Sequence, residues 1–198
     1  MKLAGFSIWA DMDDLAAVPL TLVLVTGLPG TGKSTMAEVA AEELAAPVLG
    51  HDWAMSGLRP YPGIQTALDE MDPPGHRAVG WSIISALARE QLRRGSPVVL
   101  DGVARKPEIK RCQELADEEH ARMVLVVTQC SDTDVHRSRV EGRKRLIPHW
   151  YELDWDQVNR ARDGWEPVEG ADLVLESMDP LEENAARLRA VLASLDTP

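Results

Sequence analysis

Gly27-Leu28-Pro29-Gly30-Thr31-Gly32-Lys33-Ser34-Thr35 fits G-x-x-x-x-G-K-[ST], the Walker A phosphate-binding pattern, and its flanks agree with it. Before it, Leu20-Thr21-Leu22-Val23-Leu24-Val25-Thr26 is a short β-branched and apolar run that reads as a buried parallel strand. After it, Ser34 to Ala46 is rich in Ala, Glu, Met and Leu, good helix formers. Strand, glycine loop and helix therefore follow in the order that a triphosphate cradle requires. Gly27, Gly30 and Gly32 let the backbone curl and bring its N–H groups close to phosphate oxygens. Leu28, Pro29 and Thr31 complete the loop. The helix that follows points its positive end at the same phosphates. Lys33 is expected to reach the β- and γ-phosphates and Ser34 to coordinate Mg²⁺, with Thr35 capping or packing the first helical turn. The expected ligands are ATP and Mg²⁺.

The rest of the chain reads outward from that loop. Pro47-Val48-Leu49-Gly50-His51-Asp52 predicts a second strand that ends in polar residues. Open parallel sheets bind ligands beyond the C-terminal ends of their strands, which puts Asp52 on the same rim as the glycine loop. Trp53 to Pro74, with Trp, Met, Gly, Tyr, several prolines and Arg59, reads as a long irregular connection contributing to an acceptor pocket. Gly75 to Arg94 has helical periodicity, with Val79, Ile83, Ala86 and Leu87 on one stripe, Ile84, Ala88 and Leu92 beside it, and Gly95 as C-terminal cap. Pro97 to Gly102 is a third strand, and Pro107 suits the first turn of a helix that buries Ile109, Cys112, Leu115 and Ala116. Met123 to Thr128 is the fourth strand. Asp132 caps a segment dense in base, from His136 to Arg145, which Pro148 stops. Trp150, Tyr151, Trp155 and Trp165 follow among acidic residues, as packing of a small subdomain or a pocket wall. Asp172 to Glu176 is the last strand. Asp179-Pro180-Leu181-Glu182 reads as a capping box before a helix that buries Ala185, Leu188, Val191, Leu192 and Leu195. Five strands alternating with helices predict a three-layer α/β fold, with a mainly parallel sheet, helices on both faces and an arginine-rich lid over about 132–148. Residues 1–18 read as an N-terminal extension to a single domain spanning 19–198.

Three further residues carry chemistry. Val98-Val99-Leu100-Asp101 ends a buried strand in an acid, so Asp101 is placed in the Mg²⁺ shell with Ser34. Transfer to an alcohol benefits from a group that accepts the hydroxyl proton, and Asp52 is the candidate. His51 competes for that role, but on a strand its side chain alternates to the other face. Charge spreads over the transferring phosphoryl group, and guanidinium grips phosphate in a bidentate way. Arg139 and Arg143, four apart on a helix, are expected to share a face above the site, with Arg137 and Arg145 pointing elsewhere.

Composition narrows the partners. The net charge of −11 argues against a general polyanion binder and leaves at most a nucleic-acid end as substrate. The two cysteines, Cys112 and Cys130, are too few for a disulfide framework or a structural zinc site. No apolar run approaches membrane-spanning length and the N-terminus lacks a signal-peptide pattern, so a cytoplasmic setting is expected.

With these residues in place, the chain resembles the P-loop kinases of the nucleoside-monophosphate-kinase-like superfamily. Within it the likeness is to the branch of polynucleotide-kinase-type, gluconate-kinase-type, zeta-toxin-like and chloramphenicol-phosphotransferase-like proteins. The glycine loop with internal Pro29 is typical of that branch. Asp101-Gly102 resembles the strand-end Asp-Gly of adenylate kinases, Asp52 falls where the branch carries the acid that activates the acceptor, and Arg137 to Arg145 resembles the lid. The adenylate-kinase pattern would continue Asp-Gly-Phe-Pro-Arg, whereas Gly102 is followed by Val103-Ala104-Arg105. That departure points away from a nucleoside-monophosphate acceptor. The resemblance implies an ATP- and Mg²⁺-dependent kinase acting on a hydroxyl of a small molecule. Its rivals are a nucleoside or nucleic-acid-end kinase and a nucleotide-dependent switch or adaptor.

Overall fold

A computed structural model describes residues 20–196, so the proposed extension over 1–18 lies outside the described residues. Five strands form one sheet: β1 (Thr21–Thr26), β2 (Val48–Gly50), β3 (Val98–Asp101), β4 (Arg122–Gln129) and β5 (Leu173–Glu176). Their order is β2-β3-β1-β4-β5, and every pairing is parallel. Eight α-helices among the described residues connect and flank them: α1 (Lys33–Leu44), α2 (His51–Ser56), α3 (Pro62–Asp69), α4 (Pro73–Arg93), α5 (Lys106–Glu118), α6 (Thr133–Glu141), α7 (Trp155–Asp163) and α8 (Leu181–Ala193).

The strands alternate their side chains between two cores. Leu22, Leu24, Leu100 and Leu125 face Trp81, Ile84 and Leu92 of α4 and Cys112 and Leu115 of α5. Val23, Val25, Val99 and Val126 face Met36, Ala37 and Ala40 of α1 and Leu188 and Leu192 of α8. Helices thus cover both faces, which is why the strands read as continuous apolar runs. The expected three-layer fold is the one observed. Register then sets the rim: Val25 pairs with Asp101, and Asp101 with Gly50. The glycine loop after β1, the acid ending β3 and the first turn after β2 therefore emerge side by side.

Four expectations differ locally. Trp53 to Pro74 is mostly helical rather than irregular. Pro62 lies in the first turn of α3, and Pro73 and Pro74 open α4, where Asp72 accepts a hydrogen bond from the Gly75 N–H at 2.7 Å. The prolines start helices, where their missing N–H has no helical partner anyway. On α4 the buried stripe is Trp81, Ile84, Ala88 and Leu92, whereas Leu87 is half exposed. The two candidate stripes adjoin, and the bulk of Trp81 turns the helix onto one of them. The capping box before α8 does not form. Pro180 is itself the cap position, and the Glu183 and Asn184 N–H groups donate to its carbonyl, both at 3.1 Å. Finally, β2 ends at Gly50, and His51 and Asp52 begin α2 instead of extending the strand. No helix among the described residues is long and apolar enough to cross a membrane.

Candidate active site

The glycine loop is braced from both sides. Thr31 Oγ1 donates to the Leu28 carbonyl at 2.8 Å and lies 2.7 Å from Thr128 Oγ1 on β4. Gly30 has φ +87°, and a Cβ there would meet Val140 Cγ2 of α6 at 2.6 Å, so glycine is required by both backbone and space. His136, one turn earlier on α6 and almost fully buried, places Nε2 at 2.7 Å from the Pro29 carbonyl. A carbonyl only accepts, so Nε2 carries the proton and Nδ1 is free to accept from Arg162 of α7 at 3.3 Å. Helix α6 is in this way tied to the phosphate loop itself. By sequence His136 belongs to the basic segment of the expected lid. Its spacing of four from buried Val140 was the available signal.

Lys33 is buried, with Nζ donating to the Leu28 carbonyl at 3.0 Å. Burial pushes its ammonium below the ordinary lysine range, against the pull of Asp101 and Asp52. Ser34 Oγ donates to Asp101 Oδ2 at 2.7 Å, while Asp101 Oδ1 is buried with no hydrogen-bond partner among the described residues. Burial raises the Asp101 carboxyl, with Lys33 and Ser34 opposing. A hydroxyl beside a carboxylate with a spare oxygen fits Mg²⁺, which takes one or two protein ligands and completes its shell with phosphate and water. Among the described residues no cluster of three or more His, Cys, Asp or Glu could hold a metal ion. Thr35 does not cap α1, whose cap position is Gly32. It is exposed on a second cleft instead.

Asp52 sits in the first turn of α2 and lines the same cavity as Lys33, Ser34 and Asp101, a space of about 630 Å³. Its Oδ2 accepts from Arg145, and its Oδ1 lies 3.3 Å from His51 Nδ1. The helical turn brings His51 to the side of Asp52, which corrects the expected strand alternation. Burial would raise the Asp52 carboxyl, but the hydrogen bond from His51 and the charge of Arg145 outweigh it and hold it down at about 2. Arg145 also donates to the Tyr151 carbonyl at 2.8 Å and faces Glu152 at 3.5 Å.

The lid arginines are arranged differently from the expected pair. Helix α6 ends at Glu141 and Gly142 caps it, so Arg139 and Arg143 share no helical face. Arg139 grips Ser177, NH1 to Oγ at 2.8 Å and NH2 to the carbonyl at 2.9 Å, and lines a second cleft of about 290 Å³ on the far side of the glycine loop. Arg143 lines the main cavity, where its charge bears on Lys33 and Asp101. Arg145, expected to point elsewhere, turns inward to Asp52. Arg137 pairs with Glu141 on the surface.

The AAA domain family AAA_33 matches residues 22–168. An uncharacterised protein of Mycobacterium tuberculosis is 33% identical over 131 residues, which cover 62% of this chain and 25% of that protein. The chain thus spans about a quarter of the length of that relative. Among solved structures, a gluconokinase from Sinorhizobium meliloti superposes with TM-score 0.65 at 20% identity, covering 90% of this chain and 94% of its own. The APS kinase CysC of M. tuberculosis, solved with AMPPNP and APS, superposes with TM-score 0.62 at 19% identity over 88% of this chain and 98% of its own. At these identities the structural likeness is one of fold.

Proposed function

This chain belongs to the AAA_33 family of AAA domains, and on that premise we propose that it is an ATP- and Mg²⁺-dependent kinase that transfers the γ-phosphate to a hydroxyl of a small molecule. The observation that carries the reading is one cavity holding both halves of the chemistry. Ser34 and Asp101, with its unpartnered Oδ1, lie on one side beside Lys33, and Asp52 lies on the other.

The glycine loop and Lys33 would bind the β- and γ-phosphates, and the second cleft, walled by Arg139 and Leu181, would take the nucleoside end. Ser34 and Asp101 would hold Mg²⁺, which supplies charge neutralisation at the β- and γ-phosphate oxygens. Asp52 orients the acceptor hydroxyl and takes its proton as the new O–P bond forms. The bond to the β,γ-bridging oxygen breaks and ADP leaves with its electron pair. A carboxyl held at about 2 is a weak base. In a loose transition state, however, the proton moves late, and positioning matters more than basicity. Arg143 and Lys33 face the oxygens on which charge accumulates.

The test is transfer of labelled γ-phosphate from ATP into a panel of sugars, nucleosides, hydroxyl-bearing antibiotics and oligonucleotide ends, with wild type and Asp52→Asn. Label enters one acceptor class and falls about 10²-fold or more in Asp52→Asn while ATP affinity stays within a few-fold. Undiminished transfer in Asp52→Asn would remove Asp52 from the proposed role.

A further inference from the structure

We infer that the acceptor is an alcohol carrying a flat ring, seated against the aromatic wall of the cavity. The inference rests on the kinase reading and adds the class of acceptor. Three aromatic side chains line the cavity on the Asp52 side: Trp53 on α2, and Trp150 and Tyr151 from the coil between α6 and α7. Trp150 and Tyr151 stack on each other, with ring centroids 4.8 Å apart and planes 25° off parallel. The Arg59 guanidinium lies 5.1 Å and 5.4 Å from those two centroids and braces the pair from outside the cavity lining. Trp53 sits beside Asp52 in sequence and is 58% exposed, a large apolar surface left open to the space where the hydroxyl must lie. Ile147 and Leu153 extend the apolar lining.

Several cations of the cavity wall are already engaged by neighbouring groups. Arg145 is saturated by Asp52, Glu152 and the Tyr151 carbonyl. Arg77 is committed to buried Glu108 at 3.0 Å, and Arg105 to the Gly164 and Ala161 carbonyls that end α7. His76 is held below the ordinary histidine range, by burial first and then by Arg59 and His51. Lys33 and Arg143 lie by Asp101, at the phosphate end. On the Asp52 side of the cavity a ring would meet an indole and a phenol. The hydroxyl on that ring's substituent would lie at Asp52, its O–P bond forming and its proton leaving as described above.

The experiment uses the full chain with ATP and Mg²⁺ and four acceptors: 3-phenylpropane-1,2-diol and adenosine, which carry rings, and sorbitol and gluconate, which do not. Calorimetric binding of each in the presence of AMPPNP is measured alongside. The ring-bearing alcohols should exceed sorbitol and gluconate by about tenfold or more in kcat/KM. The preference over sorbitol should shrink about tenfold in Trp150→Leu, mainly through KM, with Tyr151→Leu as the second variant if the first does not fold. A lead of the phenyl diol over adenosine assigns a simple aryl alcohol, and the reverse assigns a nucleoside. Preference for gluconate or sorbitol overturns the ring and leaves the kinase standing. If AMPPNP binds and no acceptor is labelled, the kinase reading fails. Calorimetry then decides the ring: binding of ring alcohols that Trp150→Leu weakens supports it, and absence of such binding overturns it.

Discussion

Asp101 combines two properties that pull in opposite directions, a carboxylate oxygen with no donor and a burial that disfavours its charge. Its carboxyl is raised in the folded chain above its ordinary 3.8, so ionising it opposes folding as pH rises from that value through the native one. Asp101→Asn should therefore raise the melting temperature at neutral pH without nucleotide or Mg²⁺, while lowering phosphoryl transfer by about 10²-fold or more. Calorimetry and the transfer assay read the two effects, and a lowered melting temperature would contradict the burial argument. Asp101 and Ser34 were readable from sequence because each sits at a fixed offset from a buried strand. The inward turn of Arg145 was not, since it depends on where α6 stops and how the following coil, residues 142–154, returns to Asp52.

Helix α6 is the element whose role changes most between sequence and structure. Read as a basic lid, it is also the brace of the phosphate loop, through the His136 bond to the Pro29 carbonyl and the contact of Val140 with Gly30. His136→Ala should cost about 1–3 kcal/mol in chemical denaturation by leaving that carbonyl without its partner. It should also weaken ATP binding through a looser loop. Burial holds the imidazole below its ordinary 6.5, with the Pro29 carbonyl opposing and the Arg162 charge assisting. The unfolded chain then binds the proton more readily, so wild type loses stability as pH falls from neutral through 6.5 and below. His136→Ala should lose less over the same range, which denaturation at several pH values checks. The segment after β2 makes a related point at the same scale. Composition marks Trp53 to Pro74 as a loop because prolines punctuate it, yet α3 and the start of α4 place Pro62, Pro73 and Pro74 in their first turns.

Across the whole molecule, the sheet order brings three separate stretches to one rim: the loop after β1, Asp101 at the end of β3, and His51-Asp52 after β2. Anything that binds this rim in the folded chain alone stabilises the fold by mass action. AMPPNP with Mg²⁺ at 100 times its Kd should add about 2.7 kcal/mol, and Lys33→Ala should abolish most of that gain. Thermal unfolding with and without the nucleotide measures it. The layered α/β fold and the phosphate loop were legible in the chain order because both are local. A buried strand, a glycine turn and a helix are set by residues within a few positions of one another, and the alternation of such units leaves few topologies. The Asp52 side of the cavity is different in kind. Asp52, Arg143, Arg145, Trp150 and Tyr151 lie far apart in the chain, and their meeting depends on where α2 begins, where α6 ends and which face of each turn is buried. Those are outcomes of packing between elements, and no local pattern encodes them.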